Sequence, residues 1–339
     1  MRYFLGADLG GTKTHMVIAD ETGRAVGFGE GGPGNHQSVG FDGMLFAMQT
    51  ALGQTLASAQ LTRQDISGTG FGIAGYDWPS EKPVMLANIE QLELSAPLAL
   101  VNDAIPGLVA GAEAGWGVNV VSGTGCNCRG WDEQHQCEGR VTGYGTLMGE
   151  AAGSSELVYR AMQLVGQAWT KRGPHTALSN TFIKYCGAKN LEDLLEGYTE
   201  EYYQIGAETA PLVFQAAYEG DAVACELITW AGNELGEMAI SIIRQLNFEK
   251  LKFDVVLSGS MFDGGNLLID PMRATIQNIA PDARMVRLNV PPVLGAVLIG
   301  MEQGGLVYNP AIRATLAETI NTIKNGTDNN GMKMDVKHA

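Results

Sequence analysis

Positive charge is scarce in this chain. Its 22 Lys and Arg stand against 37 Asp and Glu, a formal net charge of −15 at pH 7. Such a surface repels polyanions, which argues against nucleic acid and anionic membranes as partners, although a local set of backbone amides with a divalent cation can still hold a small phosphate ligand. Cysteine is also scarce and odd in number, five in 339 residues. That is no disulfide framework, and it fits reduced thiols. No uninterrupted apolar run reaches membrane length and no basic-then-apolar leader opens the chain, so the expected compartment is cytoplasmic.

Glycine, by contrast, is abundant at 45 residues, and two of its clusters carry chemistry. Residues 6–14 read GADLGGTKT, residues 119–127 read NVVSGTGCN, and Val101-Asn102-Asp103 closes an expected strand between them. The N–H groups of such turns form concavities for anions, and glycine lets phosphate oxygens approach with no Cβ in the way. An aspartate at a strand end can accept a hydroxyl proton as attack on a γ-phosphoryl group begins. Together these features point to a small-molecule kinase. Gly6-x4-Gly11 looks like the start of a P-loop, but Thr12 intervenes before Lys13. A P-loop also opens a helix, whereas Thr14 to Ala19 is β-branched and apolar and runs into the turn Asp20-Glu21-Thr22-Gly23. A dinucleotide-binding fingerprint fails for the same reason.

The length suits two domains, each with its own core. Three short strands are expected over 3–29, followed by a polar, glycine-rich loop over 29–40 suited to substrate contact. Asp42 then caps a helix with Leu45, Met48, Leu52 and Leu56 at helical spacing. Strands follow at 68–74 and 97–101, then a small-residue helix from Ala104 to Ala114. From Val118 the pattern restarts: ADETGRAVGFG (19–29) is echoed by WDEQHQCEGRVTGYG (131–145), each an acidic turn, a short strand and glycine-aromatic-glycine. Residues 151–247 read as mostly helical, with one long helix over 222–246. A strand over 254–260 that ends in a small-residue turn, a strand at 284–288 and an apolar helix at 292–303 complete the pattern. The expected division is 1–115, then 116–325 with a helical insert and with helix 292–303 packing back on the first domain, then a disordered tail at 326–339. Two such α/β domains with a cleft between them would seat two substrates and exclude water from the transfer.

Cys126, Cys128, His135 and Cys137 fall within twelve positions and are weighed as a zinc site. No Cys-x-x-Cys knuckle is present, and the spacing fits a β-hairpin lined by these residues.

The motifs in order are GADLGGTKT, GGPGNH, LVNDA, SGTGCNCRG, GYGTLMGEAAGS and VLSGSMF. With them the chain resembles the BadF/BadG/BcrA/BcrD ATPases, and among these the N-acetylglucosamine kinases, over roughly residues 3–305. The resemblance implies the actin/hexokinase/Hsp70 ATPase fold: two duplicated ribonuclease H-like α/β domains with an interdomain cleft, using ATP and Mg²⁺. It implies that Asp8 orients Mg²⁺ through water, while Gly10, Gly11, Thr12 and Lys13 hold phosphates from one side and Gly123, Thr124 and Gly125 from the other. Gly259 and Ser260 would lie against adenosine. Asn35, His36, Cys126, Asn127 and Glu150 would contact the sugar, and Asp103 would take the proton from its primary hydroxyl. One departure stands out. The family pattern Gly-Asp-Glu-Gly-Ser becomes Gly149-Glu150-Ala151-Ala152-Gly153-Ser154, with the sugar-binding aspartate replaced by glutamate, an acid lost and a residue inserted.

Each assignment has a plainer counterpart. Asp103 is a good helix N-cap, and Lys13 a solvated surface residue. His36 can pack within its loop, Trp131 and Tyr144 can be core or hinge residues, and the methionines can be packing. An isolated carboxylate in the apolar strand around Asp8 is costly without a partner. The expected function is transfer of a phosphoryl group from ATP to the 6-hydroxyl of an amino sugar. N-acetylglucosamine leads, with glucosamine and N-acetylmuramic acid as alternatives. An activator ATPase for an acyl-CoA reductase or dehydratase, or a sugar sensor without catalysis, are the other classes. The former needs an iron–sulfur cluster, for which the cysteines lack an array. Partners are a small sugar and at most a second copy of the chain.

Overall fold

The computed structural model describes the backbone of residues 1–331 and the side chains of residues 1–324. The chain divides into two compact units, 1–117 with 288–339, and 118–287. The expected second domain of 116–325 therefore ends near Arg287, and the residues beyond it belong to the first unit.

In unit 1, β1 (Tyr3–Leu9), β2 (Thr14–Asp20) and β3 (Ala25–Gly31) form an antiparallel meander. They are followed by α1 (His36–Ala59), β4 (Ile66–Ile73), α2 (Lys82–Glu90), β5 (Leu98–Asn102) and α3 (Ala104–Gly111). β4 and β5 add in parallel beside β1, giving the order β3-β2-β1-β4-β5. Leu5, Leu9, Met16, Met44, Met48 and Phe71 are fully buried in one cluster between β-sheet and helices, so these methionines do pack the core. Helix α1 starts earlier than the sequence suggests. Asn35 caps it by accepting from the Gln37 N–H at 2.9 Å, and the helix breaks at Gly40, where φ is 70°. The polar loop thus shrinks to a few residues, and the Asp42 periodicity belongs to the segment after the break.

Unit 2 contains β6 (Gly117–Ser122), β7 (Cys126–Trp131), β8 (Glu138–Arg140) and α4 (Ser154–Trp169). Then come α5 (Leu178–Cys186), α6 (Leu191–Thr199), α7 (Ala210–Tyr218), α8 (Ala222–Leu246), β9 (Asp254–Ser258), α9 (Asn266–Gln277) and β10 (Arg284–Arg287). Its sheet order, β8-β7-β6-β9-β10, is that of unit 1, with β7–β8 antiparallel and β9–β10 parallel. The duplication is therefore one of topology, and the hairpin echo stops at Arg140. Gly27 and Gly29 lie inside β3, whereas Gly143 and Gly145 take φ of 79° and 58° in a turn.

Helices α10 (Val293–Gln303) and α11 (Pro310–Gly331) return to unit 1. The physical reason is glycine. A Cβ on Gly6, Gly68 or Gly70 would overlap the backbone of α10 at Val297, Gly300 and Ala296, respectively. The helix axis therefore sits directly on β1 and β4. Gly70→Ala should cost about 1–3 kcal/mol by overpacking. For a unit of this size that lowers the melting temperature by about 2–4 °C per kcal/mol, readable by calorimetry. The first part of the tail expected to be disordered is helical to Gly331, and the rest of the 326–339 expectation lies outside the described residues. Among the described residues no helix is long and apolar enough to cross a membrane.

Candidate active site

The parallel register of β1, β4 and β5 aligns Asp8, Gly72 and Val101 in one row at the carboxyl end of the strands. Asp103 follows Val101 by two residues at the same end, where open α/β sheets bind their ligands. The two carboxylates feel each other. Burial first, and the charge of Asp103 second, push Asp8 from the ordinary carboxylate range up to about 7. A half-buried acid beside a second acid fits a divalent cation, which would relieve both penalties, so Asp8 is the residue that would hold Mg²⁺.

Asp103 takes the N-cap position of α3 but makes no side-chain cap bond. That duty falls to the fully buried Asn102, whose Oδ1 accepts from the Ala104 N–H at 3.0 Å. The Nδ2 of Asn102 donates to the Tyr76 carbonyl at 3.1 Å and to Asp77 Oδ1 at 3.3 Å. The side-chain cap of α3 is therefore Asn102 and not Asp103. Asp77 was missed by the sequence reading. It is a buried carboxylate that also lies 3.5 Å from Gln37 Nε2, and its N–H donates to Glu81 Oε2 at 2.9 Å. Only a carboxylate in an otherwise turn-like run, Gly75 to Pro79, signalled it.

The first glycine turn is drawn against the residues before α1. Gly10 N–H donates to the Lys13 carbonyl, and the Gly10 carbonyl accepts from Gly34, both at 2.9 Å. In a trans peptide C=O and N–H point opposite ways, so the Gly11 amide is directed away from Gly34. Thr12 is exposed beside it. Lys13 is spoken for: its Nζ lies 3.3 Å from Glu30 Oε2, which His15 Nε2 also meets at 2.9 Å. Asn35 spends Oδ1 on its cap. His36 packs within its own segment, stacked on Phe41 at 4.7 Å, with Nε2 3.7 Å from Glu81 Oε1 and Nδ1 buried without a partner.

In unit 2 the second glycine turn rests on the start of α4. The Gly123 and Thr124 carbonyls accept from Ser154 and Ser155 N–H at 2.8 and 3.0 Å. Peptide planarity then aims the Thr124 and Gly125 amides away from α4, the arrangement an anion site requires. Gly259, with φ of 102°, has no room for a Cβ against the Ser122 carbonyl, so the turn after β9 sits on the base of the phosphate turn. Ser260 lines a cavity of about 430 Å³ with Ser154, Glu208, Phe214, Gln215 and Tyr218. Asn127 Oδ1 accepts from the Cys128 N–H at 2.8 Å. Burial, then the charge of Glu156, push the Cys126 thiol up to about 12, while amides of Ala152 and Gly153 pull the other way. Cys128 is buried and raised further. Among the described residues no group of three or more His, Cys, Asp and Glu is placed to hold a metal, and His135 stacks on the buried Trp131 at 4.4 Å. Tyr144 is exposed. Glu150 lies on its own loop, Oε1 accepting from Thr142 N–H at 2.6 Å and Oε2 from Gly143 N–H at 2.8 Å.

The model of the BadF/BadG/BcrA/BcrD ATPase family matches residues 5–300. The chain belongs to the BadF/BadG/BcrA/BcrD ATPase family. Among its relatives is an N-acetyl-D-glucosamine kinase of Dictyostelium discoideum, 27% identical over 311 residues that cover 88% of this chain and 97% of the relative. An N-acetylmuramic acid/N-acetylglucosamine kinase of Clostridium acetobutylicum is 25% identical over 308 residues, covering 89% and 99%. A ROK family glucokinase of Streptomyces griseus, solved with glucose and AMPPNP, shares the fold with a TM-score of 0.51 at 18% identity, covering 93% of this chain and 99% of its own. This BadF/BadG/BcrA/BcrD ATPase thus has the duplicated actin-like α/β architecture expected from its motifs.

Proposed function

We propose that the chain is an ATP-dependent sugar kinase, a phosphotransferase acting on the 6-hydroxyl of an amino sugar, with N-acetylglucosamine as its first acceptor. The carrying observation is Asp103: a carboxylate at the carboxyl end of β5, relieved of capping by Asn102 and set beside Asp8. Asp103 accepts the proton of the acceptor hydroxyl as its oxygen bonds to the γ-phosphorus and the bond to the ADP oxygen breaks. Asp8 would hold Mg²⁺, and the ion would supply charge neutralisation on the phosphates. The amides of Gly11, Thr124 and Gly125 serve the phosphate oxygens, Gly10 and Gly123 allow their approach, and Thr12 adds a hydroxyl. Gly259 and Ser260 serve the adenosine. The pairing with Glu30 makes Lys13 a rim charge rather than a fixed phosphate ligand. Two curated relatives named for N-acetylglucosamine support the sugar class.

The test is ADP release with Mg-ATP and glucosamine, N-acetylglucosamine, N-acetylmuramic acid, N-acetylmannosamine or glucose. N-acetylglucosamine should give the highest kcat/KM. ADP release with none of the five removes the kinase reading and leaves a sensor or an activator ATPase, the latter recognised by bound iron.

A further inference from the structure

The loop between β8 and α4 is anchored in an unusual way. From Val141 to Glu150 only the two end residues are buried. Tyr144, Leu147 and Met148 are 40%, 77% and 56% exposed, and Gly143, Gly145 and Gly149 all have positive φ. A single helical turn over Gly145–Met148 lies inside the loop. One side chain closes its mouth. The buried Glu150 carboxylate accepts from the Thr142 and Gly143 amides, and its own N–H donates to the Gly145 carbonyl at 2.9 Å.

We propose that Glu150 is a positioning residue whose carboxylate clamps the 142–149 loop beside the Cys126-Asn127 segment, rather than a residue that touches the sugar. The assignment rests on the sugar-kinase reading for its effect on turnover. Its geometry does not. A carboxylate with both oxygens taken by backbone amides is strongly satisfied already. Glu150 also lies close enough to Cys126 for its charge to act on that thiol, so the loop base adjoins the segment expected to face the sugar. The length of the side chain matters here: the extra methylene of glutamate lets the carboxylate span the mouth of the loop, which an aspartate on the same backbone falls short of by about 1.5 Å.

Three measurements test this. In the wild-type protein, hydrogen exchange resolved within 141–150 should show the Thr142 and Gly143 amides protected while those of Thr146 and Leu147, at the start of the exposed turn, exchange freely. Chymotrypsin should cut Glu150→Gln and Glu150→Asp at Tyr144 or Leu147 about 10–100-fold faster than wild type, the scale of a lost charge-assisted hydrogen bond. In turnover, the acceptor KM should rise by a similar factor while kcat and the KM for ATP move little. Unprotected Thr142 and Gly143 amides overturn the clamp without any variant. Unchanged proteolysis together with a reordered preference among the five sugars overturns it in favour of direct sugar contact. If wild type phosphorylates no sugar, the kinase reading falls, and exchange and proteolysis still decide the clamp.

Discussion

Asp103→Asn binds its sugar and Mg-ATP as the parent does and turns over about 10²–10⁴-fold more slowly, the range for loss of a positioned general base. The prediction rests on the division of labour at the start of α3. Asn102 holds the helix through its bond to the Ala104 N–H and is fixed in turn by Tyr76 and Asp77. Removing the charge at 103 therefore takes away no side-chain cap from α3. It also removes one of the two causes that raise Asp8, so the variant should be no less stable than wild type. Calorimetry for binding, a quenched assay for turnover and a melting curve give three independent readings. Near wild-type turnover sinks the assignment of the base. A melting temperature several degrees lower shows that Asp103 supports the fold after all.

How far the sequence reaches depends on the distance over which its signals act. Strand periodicity and glycine turns are local, and β1 to β3, β9 and α8 sit where the pattern of their own residues puts them. The return of α10 onto β1 and β4 is written in Gly6, Gly68 and Gly70, but a glycine in a strand does not name the helix that will cover it. Helix α1 begins at His36 because Asn35 finds the Gln37 amide, a bond that competed with the Asp42 signal seven residues on. In the candidate site, Asp8, Asp103 and the glycine turns are named by the sequence pattern, and the structure puts the two carboxylates close enough at one strand end for their charges to interact. Asp77 is not named by it, since its burial comes from Asn102 and Gln37 reaching it from elsewhere in the chain. The partners of Lys13, His36 and Glu150 were hidden for the same reason. A charged side chain declares its type in sequence, and only packing declares which opposite group or amide it meets.

Asp8→Asn exchanges stability against function. The Asp8 carboxylate is raised to about 7 by burial and by Asp103, so at neutral pH the folded protein keeps a charge, or a proton, at a cost the unfolded chain does not have. The neutral amide removes that cost. At about 1.4 kcal/mol for each tenfold change in proton affinity, and allowing for the part of Asp8 that still meets solvent, the gain is on the order of 1–3 kcal/mol. That is a melting temperature higher by about 2–4 °C per kcal/mol. Its pH dependence has a definite sign. The folded pKa lies above the unfolded one, so below about pH 4 both states are protonated and the variant has no advantage. The advantage opens as pH rises from about 4 to 7 and is constant above. Turnover moves the other way, falling about 10²–10³-fold, because the charge that steadies the cation and the phosphates is gone. Melting curves of both proteins in metal-free buffer between pH 4 and pH 8 decide it. A gap that stays flat across that range, or that favours wild type at pH 8, shows that Asp8 is not the strained carboxylate on which cation binding at this strand end depends.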